Sequence, residues 1–436
     1  MEENKTRVFL TGATGVMGMA GLRELIKYPE MYSIIVLARD SKINRKKLKF
    51  FEKKGVKVLW GDLLDRKVLE QGISQSDIVL HVGGMVSPAA DHYPEKTLKV
   101  NIGSIKLICD IVREIEDKDS EKTIKVVYVG SVSEYGSKLP PFHWGKAGDT
   151  LKAAKFDAYA VSKILGERAL MEAGLKQWVS VRQTGILHPG LLKKANDPIT
   201  FHFPIAGVLE WITAEDSGRL LEKICRPEVP LNFWCKIYNA GGGEKFRMTN
   251  FDFERAILKG LNCPPPEKIF ETKWFATDNF HGMWFEDSDV LEEILHFRSG
   301  KTFDEAIDEM RKSLPFYFKA ASIVPSALIK IFMKRIASDP SLGTLAWIKN
   351  NDEKRINAFW GSKEHYLRIP GWKDLNVKCL TKDSKNHPLF KSYDATITYK
   401  ECEKGHKFKT SEVLEAAGHT CPFCLFENSE VKCPKN

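Results

Sequence analysis

Short apolar runs alternate with amphipathic helical patterns through roughly the first 190 residues of the chain. Each run is rich in Val, Ile and Leu and has the length of a strand, and a continuous apolar run is typical of a strand buried on both faces. The runs lie at 7–10, 33–37, 56–60, 78–82 and 125–129. Strands that alternate with helices predict an α/β fold, with a doubly wound parallel sheet and right-handed crossovers.

A glycine-rich turn joins the first apolar run to the first helical pattern, Met19 to Ile26. Glycine permits a tight turn and the close approach of a pyrophosphate, and the N-terminus of the following helix attracts the anion. Because the glycines stand between a strand and a helix, the motif predicts a dinucleotide-binding (Rossmann) site. Its candidate contacts are Gly12, Thr14, Gly15, Val16, Met17 and Gly18.

Further candidate contacts stand where later strands are predicted to end, because the ligand of a doubly wound sheet lies beyond the carboxyl ends of its strands. Asp62 follows the third run and is a candidate partner of the adenine amino group, with a plain turn aspartate as the alternative. The other candidates are Leu63 beside it and, after the fourth run, Val82, Gly83 and Gly84, where small residues let a cofactor pass close by.

The second run ends in Ala38-Arg39-Asp40, which bears on the choice of cofactor. An NAD-selective site usually places an acidic side chain here against the ribose hydroxyls, whereas an arginine suits the 2′-phosphate of NADP. Ala38 stands where we expect the acid, and Arg39 follows it. We therefore predict NADP(H) in preference to NAD(H). Two alternatives stay open: Asp40 is the acid if the register is shifted, or Arg39 belongs to a solvated basic loop.

Tyr159 and Lys163 are four residues apart in a helical pattern, so their side chains share one face and lie one turn apart. A neighbouring ammonium lowers the pKa of a tyrosine, and such a phenol can exchange a proton with an alcohol or a carbonyl near neutral pH. Ser131 follows the fifth run and offers a hydroxyl that can hold the reacting oxygen. Asn101 precedes the helical pattern 102–112 and either caps that helix or supports Lys163 from behind.

Four motifs together carry a resemblance to a known family. In chain order they are TGATGVMG, Gly61-Asp62-Leu63, Ser131-Val-Ser-Glu-Tyr135-Gly136 and Tyr159-x-x-x-Lys163. On these motifs, residues 6 to about 300 resemble the extended short-chain dehydrogenase/reductases, the superfamily that includes the nucleotide-sugar epimerases and dehydratases. The resemblance implies that Tyr159 is the acid/base and that Ser131 binds the substrate oxygen. It also implies that Lys163 lowers the tyrosine pKa and holds the nicotinamide ribose.

The resemblance continues beyond the catalytic helix. It implies that the segment 181–186 ends over the nicotinamide, with Gln183 and Ile186 as cofactor contacts, and that 236–242 is a late strand and turn. Within 182–190, RQTGILHPG, the chain lacks the asparagine with which sugar-nucleotide enzymes usually hold their substrate, and Gln183 replaces a usual proline. Candidates for a diphosphate clamp are Arg219, Arg247 and Arg255.

Two further positions depart from the dehydratases of this superfamily. Those enzymes carry an Asp-Glu pair directly after the Ser/Thr, and here the two positions are Val132 and Ser133. We therefore do not expect elimination of water.

The 436 residues exceed one compact core. We expect a Rossmann domain over 1–190, a substrate-binding region with late sheet strands over 191–314, an extension of unknown role over 315–395 and a tail over 396–436.

The net charge of +9 is modest for this length, so we do not expect a nucleic-acid partner. No cleavable hydrophobic segment opens the sequence, which predicts a cytoplasmic protein. We also expect a homo-oligomer.

Large aromatic side chains crowd residues 200–320 and suggest an apolar substrate pocket, with the core of a small domain as the alternative. The main hypothesis is therefore an oxidoreductase that interconverts a lipophilic, steroid-like ketone and its secondary alcohol. Two alternatives stay open: a nucleotide-sugar epimerase with tightly bound NAD, and a non-catalytic protein that senses NADP(H).

The stretch 315–333 is long and apolar, but Lys319, Lys330 and Pro325 argue against a membrane span. It either packs on the catalytic domain, which we favour, or makes a peripheral membrane contact.

Cysteines are concentrated in the tail, where Cys402-x-x-x-His406 and Cys421-Pro-Phe-Cys424 form a set of four ligands. Thiolates and an imidazole at this spacing suit a closed tetrahedral Zn²⁺ site, so we predict a structural zinc in a segment that resembles a zinc ribbon. His419 and Cys433 are spare candidates, and unligated reduced thiols are the alternative.

Overall fold

We describe the protein from a computed structural model. The structure describes residues 5–139, 143–193, 197–315, 324–373 and 398–410, together with Cys421 and Cys424. His419, Cys433 and the part of the apolar stretch at 316–323 lie outside these residues.

Strands and helices alternate through the first half of the chain, as the apolar pattern predicts. The strands are β1 (Thr6–Thr11), β2 (Tyr32–Ala38), β3 (Lys57–Trp60), β4 (Ile78–His81), β5 (Lys125–Ser131), β6 (Trp144–Gly145), β7 (Trp178–Gln183), β8 (Ile186–Leu187), β9 (Val208–Glu210), β10 (Ile212–Thr213), β11 (Lys236–Ala240), β12 (Arg247–Thr249), β13 (Trp284–Phe285), β14 (Thr398–Glu401) and β15 (Lys407–Thr410). The helices are α1 (Val16–Leu25), α2 (Lys42–Glu52), α3 (Arg66–Ile73), α4 (Ala89–His92), α5 (Pro94–Lys118), α6 (Ala158–Met171), α7 (Pro189–Lys193), α8 (Ala214–Ile224), α9 (Asn250–Gly260), α10 (Pro266–Ile269), α11 (Ser288–Leu295), α12 (Phe303–Lys312), α13 (Ser326–Ala337), α14 (Thr344–Lys349), α15 (Glu353–Trp360) and α16 (Lys363–Arg368).

Seven parallel strands form the central sheet in the order β11-β7-β5-β4-β1-β2-β3. Successive residues of β1 serve opposite faces: Val8 and Leu10 pack on the side of α1 and α8, and Phe9 packs on the side of α3 and α5. Burial on both faces explains why the strands read as continuous apolar runs. The predicted doubly wound fold is confirmed, and the strand order reverses at β1, whose neighbours are β2 and β4.

Helix α5 begins earlier than the pattern predicts. It starts at Pro94, where the fixed φ of proline suits the first helical position, and Tyr93 precedes it as the N-cap. Asn101 therefore lies inside the helix and is buried, so the prediction that it caps the helix is wrong.

Most aromatic side chains between 200 and 290 belong to the core. Phe233 and Trp234 pack under the sheet with α8, whereas Phe203, Trp211 and Phe285 belong to a second core with α9 and α12. Phe201, Trp274 and Phe275 form a third core with α13. The alternative in which these residues fill a core therefore accounts for most of them.

The C-terminal helices pack on this aromatic region. Met333 and Ile336 of α13 are buried in the third core, and the indole N–H of Trp360 in α15 donates to the Phe275 carbonyl at 3.0 Å. On the opposite face of α13, Ile331 is 66% exposed. Within the residues that the structure describes, no helix is both long and apolar enough to cross a bilayer. A peripheral membrane contact stays an untested prediction.

Candidate active site

The glycine turn forms a close-packed cradle at the start of α1. Gly12 has φ +75°, and a Cβ there would lie 2.7 Å from the backbone nitrogen of Gly83. A Cβ on Gly18 would overlap the Gly12 carbonyl oxygen, so both positions require glycine. Helix α1 has no side-chain cap and no acidic residue in its first turn. Its first N–H groups therefore stay available to an anion.

Hydrogen bonds hold the ends of β1 and β4 together beside this cradle. The Thr11 hydroxyl oxygen accepts from the Gly83 N–H at 3.0 Å and lies 2.9 Å from Nδ1 of His81. A Cβ on Gly83 would also meet the Leu63 side chain at 3.1 Å. The structure thus brings together the candidates from three strand ends, as the doubly wound arrangement predicts.

A cavity of about 610 Å³ adjoins the cradle, and Gly15, Arg23, Lys47 and His188 are among its lining residues. The Lys47 ammonium donates to the Thr14 carbonyl at 3.0 Å. None of the lining residues belongs to the Ser131, Tyr159 and Lys163 group, so the cavity marks only the glycine-turn end of the site.

At the end of β2, the two side chains that bear on cofactor choice are both exposed. The Asp40 carboxylate is held by Arg45 through contacts of 2.6 and 2.7 Å, and this guanidinium lowers the pKa of Asp40. Arg39 is the residue that follows the strand directly. Asp62 accepts from the Leu64 N–H at 3.0 Å, which makes it a turn aspartate whether or not it also contacts adenine.

Ser131 and Tyr159 meet at the carboxyl end of β5. The Ser131 hydroxyl lies close enough to the Tyr159 phenol to lower its pKa, and the Ser131 oxygen accepts from the Ser133 N–H at 3.1 Å. Helix α6 begins at Ala158, with Asp157 as the N-cap, so Tyr159 lies in its first turn. Lys163 follows one turn later, with its ammonium 5.9 Å from the centre of the Tyr159 ring.

The electrostatics of this group differ from what the helix spacing predicts. Burial raises the pKa of Tyr159 above its usual value, and the nearby Ser131 hydroxyl offsets only part of that rise. The Lys163 ammonium donates instead to the Val129 carbonyl at 2.7 Å, and burial lowers its pKa to about 8. In the chain by itself burial dominates the pKa of Tyr159, and the lowering of that pKa by Lys163 stays a prediction.

Asn101 connects the loop after β4 to the catalytic helix. Its amide oxygen accepts from the Met85 N–H at 2.7 Å, and its Nδ2 donates to the Met85 carbonyl at 3.0 Å and to the Ser162 hydroxyl at 2.8 Å. Asn101 therefore supports the residue before Lys163 rather than Lys163 itself. A Cβ on Gly84 would lie 2.9 Å from the Asn101 oxygen, which explains the glycine there.

Sequence reasoning missed a buried charge network behind Ser131. Arg182 binds Glu167 through contacts of 2.6 and 3.1 Å, and its Nε lies 3.4 Å from an oxygen of Glu134. The other Glu134 oxygen accepts from the Ser131 N–H at 2.7 Å. Burial, and then the charge of Glu167, raises the pKa of Glu134. Arg182 within an apolar strand was the sequence signal for a buried ion pair. Its partners could not be identified from the sequence, because Glu134 and Glu167 lie on other elements.

Residues from later in the chain also bind the segment at the start of α6. Nδ1 of His281 lies 3.1 Å from an oxygen of Asp157, the N-cap of the helix. Two residues before His281, the Asn279 oxygen accepts from the Lys155 N–H at 2.7 Å. The Phe359 carbonyl of α15 accepts from the N–H of Asp278 at 3.1 Å. The extension thus packs on the segment that positions the catalytic helix.

At the end of β7, two buried polar atoms have no hydrogen-bond partner among the described residues: Oε1 of Gln183 and Oγ1 of Thr184. Gln183 pairs with Ser131 in the sheet register, and Thr184 follows directly after β7. Ile186 follows in β8, which pairs with β10. A buried polar atom without a partner is unfavourable, so this edge of the site suits a polar ligand.

The arginines predicted to clamp a diphosphate each bind a carboxylate. Arg219 contacts Asp216 at 2.5 Å, Arg247 contacts Glu210 at 2.9 Å and Arg255 contacts Glu267 at 2.7 Å.

In the tail, the structure brings the four predicted metal ligands together. The ligand atoms of Cys402, His406, Cys421 and Cys424 all lie within 4.8 Å of one another.

Comparison with known proteins finds similarity in the N-terminal part of the chain. The family model described as "NAD dependent epimerase/dehydratase family" matches residues 8–183. The chain is therefore similar to this family over those residues. This agrees with the resemblance to the extended short-chain dehydrogenase/reductases, and the matched range contains the glycine turn, Ser131, Tyr159 and Lys163.

Two curated relatives match parts of the chain. UDP-glucose 4-epimerase of Mycoplasma genitalium is 30% identical over 170 residues, 38% of this chain and 47% of that protein. UDP-N-acetylglucosamine 4,6-dehydratase (inverting) of Campylobacter jejuni is 26% identical over 108 residues, 24% of this chain and 32% of that protein. The chain thus spans less than half the length of the curated relatives that it matches.

Solved structures match more of the chain. UDP-glucose 4-epimerase of Thermus thermophilus, in complex with NAD, has a TM-score of 0.54 and 17% identity and covers 72% of this chain and 100% of its own. dTDP-glucose 4,6-dehydratase of Bacillus anthracis, in complex with NAD, has a TM-score of 0.57 and 15% identity. The match covers 70% of this chain and 96% of that chain. At these identities the likeness shows the fold. The comparisons favour the nucleotide-sugar alternative over a lipophilic substrate, and they give no support to a preference for NADP(H).

Replacing Arg182 with Met should lower the free energy of unfolding by about 3–5 kcal/mol, because it leaves buried Glu134 and Glu167 without a cation. Urea denaturation measures the change. Arg168→Met is the matched control, since Arg168 forms an exposed pair with Glu172 on the same helix as Glu167. A loss as small as that of the control would show that Arg182 does not hold the network together.

Glu134→Gln should remove a pH dependence of stability. The folded-state pKa of Glu134 is raised from 4.5 to about 8, so in that window the folded protein keeps a proton that the unfolded chain has lost. Glu134 therefore contributes its full stabilisation below its unfolded-state pKa. This contribution is lost as the pH rises toward the folded-state pKa, by at most about 1.4 kcal/mol per pH unit.

The measurement is the difference in free energy of unfolding between wild type and Glu134→Gln from pH 4.5 to about 8. Groups that titrate in both proteins cancel in this difference, which should fall as pH rises. A constant difference would mean that Glu134 stays ionised throughout.

Proposed function

We propose that the chain is a nicotinamide-dependent enzyme of the epimerase type, which oxidises a secondary alcohol of a nucleotide-linked sugar and returns hydride to the resulting ketone. The observation that carries the proposal is the grouping of Ser131, Tyr159 and Lys163 at the end of the sheet that also holds the glycine cradle. The family match over residues 8–183 and the relatives that act on nucleotide sugars support the substrate class.

The residues present fit a dinucleotide. The cradle and the free N–H groups of α1 suit a pyrophosphate. Gln183, which pairs with Ser131 in the sheet, and the next residue, Thr184, each have an unpartnered buried oxygen, and such groups suit a carboxamide, which both donates and accepts hydrogen bonds. When bound, the nicotinamide supplies the group that accepts and returns hydride.

The chain's own residues manage the proton and the oxygen. Tyr159 takes the hydroxyl proton as the alcohol becomes a ketone and gives it back in the reverse step, while Ser131 donates a hydrogen bond to the same oxygen. Lys163 holds positive charge inside the site, and the Val129 carbonyl orients it. Burial raises the pKa of Tyr159, so its phenolic proton must leave to solvent before Tyr159 can accept the hydroxyl proton of the alcohol.

One observation favours a second candidate, reduction of a lipophilic carbonyl compound. In the segment 182–190, where sugar-nucleotide enzymes usually carry an asparagine, Gly185 is closely covered: a Cβ would lie 2.7 Å from Leu209 and 2.9 Å from Trp211. Apolar groups therefore occupy the space into which a side chain at 185 would extend. The carboxylate partners of Arg219, Arg247 and Arg255 also reduce what these arginines offer to a diphosphate.

The two candidates predict different substrates and different variant behaviour. We expect the purified full chain to retain NAD and to equilibrate a UDP- or dTDP-hexose with its 4-epimer, measured by chromatography of the nucleotide sugars. Tyr159→Phe should lower this rate at least ~10²-fold, because the proton acceptor is lost, while NAD stays bound. Tyr366→Phe is the control, since its ring is half-buried against Trp360 in the C-terminal helices.

Turnover of a panel of lipophilic ketones, with none of the nucleotide sugars, would replace the first candidate by the second. Near-normal rates in Tyr159→Phe would contradict the catalytic assignment in both.

The predicted preference for NADP(H) stays a proposal of its own, supported by exposed Arg39 directly after β2 and by the engagement of Asp40 with Arg45. If Arg39 binds a 2′-phosphate, Arg39→Ala should weaken NADPH binding about 10- to 100-fold, the loss of one charge-assisted hydrogen bond, and leave NADH binding unchanged. Equilibrium fluorescence titration measures both. Lys42→Ala is the control, because Lys42 is a nearby cation at the start of α2. Equal affinities for NADPH in wild type and Arg39→Ala would remove the preference.

A further inference from the structure

The tail contains a compact cluster of thiols and an imidazole far along the chain from the catalytic group. The Sγ atoms of Cys402 and Cys424 are 3.6 Å apart, and Nδ1 of His406 lies 3.4 Å from Sγ of Cys424 and 3.7 Å from Sγ of Cys421. A disulfide requires an S–S distance of about 2.05 Å, so the thiols are not bonded to each other.

These separations match the edges of a metal tetrahedron. With Zn–S bonds of about 2.3 Å and Zn–N bonds of about 2.0–2.1 Å, tetrahedral angles place two thiolates about 3.8 Å apart and a thiolate and an imidazole nitrogen about 3.6 Å apart. The three separations given above lie close to the corresponding values. Four soft or borderline donors around one point suit Zn²⁺ in preference to Mg²⁺ or Ca²⁺, which take oxygen ligands.

Local backbone structure presents two of the ligands from a tight turn. Cys402 and His406 flank the turn between β14 and β15, where the Cys402 N–H donates to the His406 carbonyl at 3.1 Å and Gly405 has φ +80°. The other two ligands come from the Cys421-Pro-Phe-Cys424 sequence. The cluster thus joins a hairpin turn to a second segment of the tail.

Among the tail residues whose side chains the structure describes, Thr410 and Cys421 are buried and the others are half-buried or exposed. A short segment without a core needs a metal or a covalent link to stay folded.

We propose that Cys402, His406, Cys421 and Cys424 bind one Zn²⁺ ion in a closed structural site that folds the tail. Four protein ligands fill the tetrahedron, so the ion has no open position for substrate and takes no part in the hydride step. The proposal is independent of the proposed function, because it concerns residues outside the matched family range of 8–183.

The test uses the full chain, purified under reducing conditions without chelator, and measures bound metal by mass spectrometry. We expect about one zinc per chain in wild type and less than a tenth of that in Cys424→Ser, since loss of one of four ligands opens the site. Replacement of the ion by Co²⁺ should produce the visible bands of tetrahedral thiolate-bound cobalt. Cys235→Ser is the matched control, because Cys235 is an exposed thiol outside the cluster.

NADH binding by Cys424→Ser should equal that of wild type, which separates loss of the metal from collapse of the Rossmann domain. Equal zinc content in wild type and Cys424→Ser after addition of Zn²⁺ would overturn the proposal. So would a Cys421–Cys424 disulfide in protein kept reduced during purification.

Discussion

The buried guanidinium of Arg182 is the interaction on which the catalytic edge of the sheet depends. It lies on β7 and neutralises Glu167 of α6 and, at longer range, Glu134, whose other oxygen holds the Ser131 N–H. The Arg182 cation therefore links β7, helix α6 and the turn that follows Ser131. The guanidinium and the Glu167 carboxylate are stable without solvent only as a pair, because either alone would be an unpaired buried charge, whereas burial shifts Glu134 toward its neutral form and raises its pKa.

The same desolvation controls the chemistry. It raises the pKa of Tyr159, lowers that of Lys163 and raises that of Glu134, so each group is shifted toward its neutral form.

In the aromatic region between residues 200 and 290, side-chain packing is the main interaction. Aromatic side chains that could have lined an open apolar pocket instead fill three cores, and the C-terminal helices cover one of them. The close approach of Leu209 and Trp211 to Gly185 shapes the cleft by bulk rather than by hydrogen bonds. The match to the family model ends at residue 183, before the aromatic residues of this region.

Local pattern alone was sufficient for the parallel sheet, the glycine cradle, the Ser131, Tyr159 and Lys163 group and the clustering of the tail ligands. Strand burial, helix periodicity and ligand spacing are properties of neighbouring residues, so a sequence can reveal them. The interior position of Asn101 in α5, the direction of the Tyr159 pKa and the network around Arg182 were decided only by tertiary structure. Each depends on desolvation and on partners from distant elements, which no local pattern records.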